Sequence, residues 1–409
     1  MSTTEAPIST LRPPRSSANP VEWLRRNLFN GWVNSLITVL LVWLIGSVVY
    51  QVARWMLTEA VWAPVATNLR LFWVGRYPET ELWRVHICGA LMLGLFGLSA
   101  GIWGGILRAL ATGLAALMAL LAVLPFAIDT RVFLVGMVLL IGLAFVAGLR
   151  FPRWLSWPTI GLWLLSPAVM VVLLRGFEGT MTLPYVETGL WGGLLLSILV
   201  AGFGILASFP LGVLLALGRR SKLPVVKGFC IAYIELIRGV PMITVLFMAM
   251  LMLPLFLPAN VRVDNLVRVL VAITLFSAAY LAENVRGGLQ AVPGGQIEAA
   301  QALGLNVFHS TLLIVLPQAL RAVIPAIVGQ FISLFKDTSL IAIVGLTELL
   351  GIANVVIQQP QWVTVPNGVQ REVLLFVGLV YWIFCFTMAR VSQRIERHLN
   401  VDARSSTKT

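Results

Sequence analysis

Ile297 to Leu320 reads IEAAQALGLNVFHSTLLIVLPQAL, a short, mildly polar stretch between two long apolar runs. The breaker cluster Pro293-Gly294-Gly295 stands before it and ends whatever precedes. Ile297 to Leu303 are helix formers, and Gly304 stands where a helix C-terminus favours glycine. Glu298 is expected in the first turn, where the helix dipole favours a carboxylate. Ala299 and Ala300 expose almost no side chain, so a partner could approach this backbone closely. The stretch therefore predicts a short connecting helix between two membrane spans.

The composition around it agrees. The chain has 409 residues, 59% of them hydrophobic and only 11% charged; its mean hydropathy is +0.91. A soluble domain carries roughly 25% charged residues. The apolar runs are too long for alternating barrel strands, and helices are the other way to satisfy a backbone in lipid. The expected fold class is an all-α polytopic membrane protein. The net charge of +12 is no nucleic-acid signal, because the basic residues fall in small groups between apolar runs. Cys88, Cys230 and Cys385 each lie in or beside an apolar run and give neither a metal spacing nor a disulfide framework.

Outward from the opening stretch the chain divides into four parts. Residues 1–31 are polar, carry Arg12, Arg15, Arg25 and Arg26, and read as a cytosolic tail without a secretory signal; 21–29 suggests a short interfacial helix. Residues 32–186 form an extension of about five spans. The first covers 33–52; a Trp-rich segment with Trp55, Trp62, Trp73 and Trp83 suits an external or interfacial loop; four closely spaced spans follow at 86–107, 109–128, 132–149 and 154–174. Gly94, Gly97, Gly101, Gly104 and Gly105 favour close helix packing there. Residues 187–395 give about five more spans, at 189–217, 228–257, 266–289, 321–335 and 373–389, and 396–409 form a second cytosolic tail. With both termini inside, 18 of the 29 Lys and Arg fall on the inner side and 10 on the outer, with Arg238 inside a span. The bias supports this orientation and places Glu298 in the cytosol.

The opening stretch also carries a resemblance. Glu298-Ala299-Ala300, Gly304, Ile314, Leu316 and Pro317 match the EAA signature of membrane subunits of ABC-type importers at every spacing. Three further elements resemble the polar-amino-acid (histidine/glutamine-type) importer branch: Glu235-Leu236-Ile237-Arg238-Gly239-Val240-Pro241, Ala279-Tyr280-Leu281-Ala282-Glu283-Asn284-Val285-Arg286-Gly287-Gly288, and Lys336-Asp337-Thr338-Ser339-Leu340. The resemblance covers 187–395. The extension before it is similar in length to that of the larger membrane subunits of general L-amino-acid permeases and of glutamate/glutamine/aspartate/asparagine permeases. The resemblance implies a type I ABC importer permease core, MetI-like, in a bacterial inner membrane. It implies a coupling helix at Glu298, Ala299, Ala300 and Gly304 that docks into a separate ATP-hydrolysing subunit. It further implies a second homologous permease subunit, a periplasmic amino-acid-binding protein, ATP bound only by the partner ATPase, and L-amino acids as cargo.

Charged groups inside spans are costly and need partners. Glu235 and Arg238 are three apart and can pair on one helical face; Glu283 and Arg286 have the same spacing. With Lys336 and Asp337 they are candidates for the translocation path or gate, or else structural ion pairs that fix helix register. No Gly-Lys pair exists for a phosphate loop, and His86, His309 and His398 offer no HExxH. The chain is thus expected to be a transport subunit and not an enzyme. The competing readings are an ion-gradient-driven secondary transporter, which would need ionisable residues at mid-membrane, and a membrane scaffold that transports nothing.

Overall fold

In the computed structural model, residues 20–123, 128–258 and 260–406 are described. Most of the N-terminal tail, with Arg12 and Arg15, and the last three residues therefore lie outside the described residues. The chain forms two compact units, Met1–Val61 and Trp62–Thr409.

In the first unit, α1 (Pro20–Asn27) is followed by α2 (Trp32–Arg54), and a π-helical turn, Trp55–Glu59, extends α2 beyond the expected end at 52. No residue of α2 is buried within the chain. A helix apolar on every side and uncovered by protein is suited to lipid. Thr38 Oγ1 donates to the Leu28 carbonyl at 2.9 Å and ties the turn between α1 and α2.

The second unit opens with two short helices, α3 (Ala63–Thr67) and α4 (Leu69–Val74), where the sequence suggests an external loop. The extension continues as α5 (Leu82–Trp103), α6 (Gly105–Val123), α7 (Ile128–Arg150) and α8 (Pro152–Arg175). Helix α5 packs on the other three. Its glycine stripe meets α7 backbone on backbone. A Cβ on Gly101 would stand 2.3 Å from the Phe145 carbonyl, and one on Gly148 would stand 2.6 Å from that of Leu98. Only hydrogen fits there, so the stripe sets the helix separation. Gly104 ends α5 with a positive φ of 65° and begins the turn into α6.

The remaining helices form the core. They are α9 (Gly193–Arg219), α10 (Pro224–Gly239), α11 (Met242–Phe247), α12 (Leu253–Phe256), α13 (Asn265–Ala291), α14 (Gly294–Ala302), α15 (Val307–His309), α16 (Leu316–Asp337), α17 (Leu349–Ile357), α18 (Pro360–Val363) and α19 (Gln370–Ser406). The described residues contain no β-strand, only isolated bridges. Helix α13 is central. Its buried face mixes small side chains such as Ser277, Ala278, Ala279 and Ala282 with large apolar ones such as Ile273 and Leu281, and it packs on α9, α16 and α10. Gly212 of α9 and Gly288 of α13 let backbones approach: a Cβ would stand 2.7 Å from Leu281 Cβ and 2.4 Å from the Ala319 carbonyl respectively.

Among the described residues nine helical segments are long and apolar enough to cross a membrane. The run 228–257, which the sequence interrupts at Glu235, Arg238, Gly239 and Pro241, is a pair of helices bent by 105°. The cause is Pro241: Val240 before it is extended (φ −111°, ψ 137°), as a residue before proline prefers, and α11 restarts after the proline. The bent pair still crosses the core. Thr188 Oγ1, beside the start of α9, donates to Asp264 at the start of α13 over 2.8 Å, while Arg219 at the end of α9 reaches Glu283 near the end of α13. The two helices therefore run parallel, and the chain between Arg219 and Asp264 must return to the opposite end. Counting the pair as one crossing gives ten.

Candidate coupling segment and charge cluster

Helix α14 carries the EAA signature. It begins at Gly294, three residues before the expected start, with Pro293 extended at the N-cap (φ −59°, ψ 138°). The preceding helix, α13, ends at Ala291 ahead of Pro293-Gly294-Gly295 as expected, but both glycines belong to the helix that follows. Glu298 therefore lies in the second turn, not the first, and the first turn has no acidic residue. The end matches expectation. Leu303 N–H donates to the Ala299 carbonyl, Leu305 N–H to the Ala300 carbonyl, and Gly304 takes a φ of +78°. Nothing lies within 4 Å of a Cβ placed on Gly304, so glycine is required there by the left-handed backbone and not by space.

Ala300 is buried and Ile297 packs into a cluster with Leu289, Val315 and Leu320, which seats α14 on the ends of α13 and α16. Asn306 caps α15 by accepting from His309 N–H at 2.9 Å, and Gln318 Nε2 donates to Gln296 Oε1 at 3.3 Å. The opposite face is open: Glu298, Ala299, Gln301 and Gly304 are exposed, as are the large apolar Leu303, Val307 and Phe308. A helix anchored on one face and apolar on the exposed end of the other suits a docking surface.

The second feature lies at the same end of the core. Arg286 binds Glu283 through Nε (3.0 Å to Oε2) and Nη2, closing the pair that the spacing predicts. Glu235 pairs instead with Arg219 Nη2 of α9 at 3.2 Å, and Arg238 turns to Glu283 Oε2 at 3.7 Å while lying over the Tyr280 ring. Arg219 Nη1 stands 3.6 Å from the same oxygen. Three arginines and two glutamates from α9, α10 and α13 thus form one network centred on Glu283. Arg219, which its spacing to the two glutamates in sequence does not single out, is its further member. Lys336 is exposed and Asp337 half-buried where α16 passes into a 3-10 turn, Thr338–Val344. Among the described residues neither forms an ion pair with this network.

A Gly-x-Ser-x-Gly run, Gly97–Gly101, lies within α5. There Ser99 is buried and accepts from Trp163 Nε1 at 2.9 Å, so the run serves helix packing and not nucleophilic chemistry. Among the described residues no group of His, Cys, Asp or Glu is placed to hold a metal.

Residues 208–401 match the family model described as binding-protein-dependent transport system inner membrane component. The chain is 36% identical over 408 residues to the inner membrane amino-acid ABC transporter permease protein YhdY of Escherichia coli, covering 95% of this chain and 96% of that protein. This chain belongs to the ABC transporter permease family. It is likewise 36% identical over 440 residues to the glutamate/glutamine/aspartate/asparagine transport system permease protein BztC of Rhodobacter capsulatus, with 96% of each covered. The probable glutamine ABC transporter permease protein GlnP of Bacillus subtilis matches at 33% over 207 residues, covering 51% of this chain and 92% of that one. The permease is therefore a multi-span inner-membrane subunit of a binding-protein-dependent transport system. The ion-gradient and scaffold readings give way to it. Both full-length relatives extend over the N-terminal region as well as the core.

Proposed function

We propose that the permease carries L-amino acids into the cytoplasm, driven by a separate ATPase that grips the Ile297–Gly304 segment. The observation that carries this reading is the exposed face of α14 and α15, where Glu298, Ala299 and Gly304 stand beside Leu303, Val307 and Phe308 on a helix anchored from behind. A rigid piece seated on α13 and α16 can pass a displacement of the ATPase into the core. The names of YhdY and BztC support amino acids as cargo, and the Lys and Arg bias supports cytoplasmic termini and a cytoplasmic α14. ATP is bound by the partner, a periplasmic binding protein delivers the cargo, and a homologous sister subunit completes the path.

Within this reading, the Glu283 network ties the inner ends of α9, α10 and α13 together and does not hold cargo. Both carboxylate oxygens of Glu283 are already engaged by arginines, and a cargo ammonium would have to displace them. Lys336 and Asp337 serve helix packing at the end of α16. The test is uptake of each of the twenty radiolabelled amino acids by cells lacking or carrying the complete transporter. Energy-dependent uptake of at least one, lost with Gly304→Asp at normal membrane levels of the chain, supports the reading. Full uptake by that variant would rule out the coupling role.

A further inference from the structure

The segment between the first span and the extension's long helices is not a free loop. Val65, Phe72, Val74 and Tyr77 are buried in the same apolar cluster as Leu194, Leu349, Val373 and Val377 of the core. Phe72 meets Phe376 of α19 edge to face at 5.0 Å, and Gln359 Nε2 donates to Asn68 Oδ1 at 2.9 Å. Burial pushes the Tyr77 phenol up to about 12, so it stays a donor, and it donates to the Leu174 carbonyl at 2.8 Å.

The contact then passes inward through three stacked pieces of backbone. Gly75 pairs with Trp191 as an isolated antiparallel bridge, and a Cβ on Gly75 would stand 2.5 Å from Gly192 Cα. Gly193 N–H donates to the Thr347 carbonyl at 2.9 Å and bridges Glu348, while a Cβ on Gly193 would stand 2.3 Å from the Phe72 carbonyl. Gly75 and Gly193 both have positive φ, 66° and 60°. Glu348 begins α17. It is fully buried and accepts from the Leu350 and Gly351 N–H groups, each at 2.9 Å, and from Tyr381 Oη at 2.8 Å. A buried carboxylate is tolerated only while its donors are held in place. At nine residues α17 spans about 14 Å, too short to cross a bilayer by itself, so its position depends on what packs around it.

We infer that residues 62–78 are a positioning brace of the transport core: through Gly75, Gly192 and Gly193 they fix the backbone of Thr347–Glu348, and so the start of α17. The extension therefore works as part of the permease and is not an appendage to a complete core. The role in transport rests on the reading given above, while the contact is testable without it.

The test is hydrogen exchange followed by mass spectrometry on the full-length permease in its purified complex in lipid nanodiscs. The variants are Gly75→Val, Asn68→Ala and Gln359→Ala. Gly75→Val is expected to speed exchange of the Leu350 and Gly351 amides by about tenfold or more, the effect of about 1.4 kcal/mol of lost protection. The two milder variants shift it in the same direction, and 82–175 keep wild-type protection. In reconstituted vesicles the maximal uptake rate falls in step with the loss of protection, at unchanged chain level. If Gly75→Val fails to insert, the milder pair decides. Wild-type exchange at Leu350 and Gly351 while 62–78 itself opens would overturn the brace. So would loosened α17 amides with an unchanged uptake rate. A wild-type complex that takes up none of the twenty amino acids counts against the cargo reading alone, because the exchange result stands without it.

Discussion

Gly304 and Glu283 carry the two sharpest demands on single side chains. At Gly304 the backbone lies in the left-handed region with open space around it. Gly304→Ala therefore costs about 1 kcal/mol of local strain without a clash. It is expected to lower uptake while leaving membrane levels normal, as read by uptake beside quantitative immunoblotting. At Glu283 the demand is electrostatic. Glu283→Gln leaves Arg219 only Glu235 and takes from Arg238 and Arg286 the carboxylate they share, and the loss of charged hydrogen bonds costs about 2 kcal/mol. The thermal midpoint of the detergent-solubilised protein should fall. Adding Arg219→Gln should restore part of the loss, because two residues in one network are not additive. An additive double variant would deny the network. Spacing alone made the Glu283–Arg286 pair and the end of the EAA helix legible. It could not show that Glu235 turns to Arg219, since that choice depends on how α9 lies against α10. Nor did it single out Glu348, a lone carboxylate in an apolar run whose donors come from α17 and α19.

Long elements were written plainly in the hydropathy, and short ones were not. The apolar runs of the extension and core became helices close to their expected ends, except that α19 runs on to Ser406, well past the expected end at 389 and into the stretch read as a tail. Helices α3 and α4 escaped because five and six residues give too little periodicity to separate a buried helix from an interfacial Trp-rich loop. The break at Pro241 was visible as a residue, but its consequence, a 105° turn within one crossing, depends on packing against α13. Between α5 and α7 the small-residue stripe was readable and its partner was not. Gly101→Leu would drive a side chain into the Phe145 carbonyl, and over-packing of this kind costs about 1–3 kcal/mol. A lowered thermal midpoint is expected. Gly113→Leu in α6, where no atom lies within 4 Å of the added Cβ, should leave it unchanged.

For the whole molecule, the parallel course of α9 and α13 makes the bent pair a crossing, and the proposed topology of ten crossings has both termini on one side. In that proposed topology α14, after eight crossings, shares this side, which is also the side richer in Lys and Arg. Orientation is thus the joint on which coupling, gating and cargo delivery all turn. Ala299 is exposed on α14 and suits a probe. The decisive measurement is labelling of Ala299→Cys, with Cys88, Cys230 and Cys385 replaced by alanine, using a membrane-impermeant maleimide. The account predicts labelling in inside-out vesicles and none in intact spheroplasts; labelling in spheroplasts would contradict it.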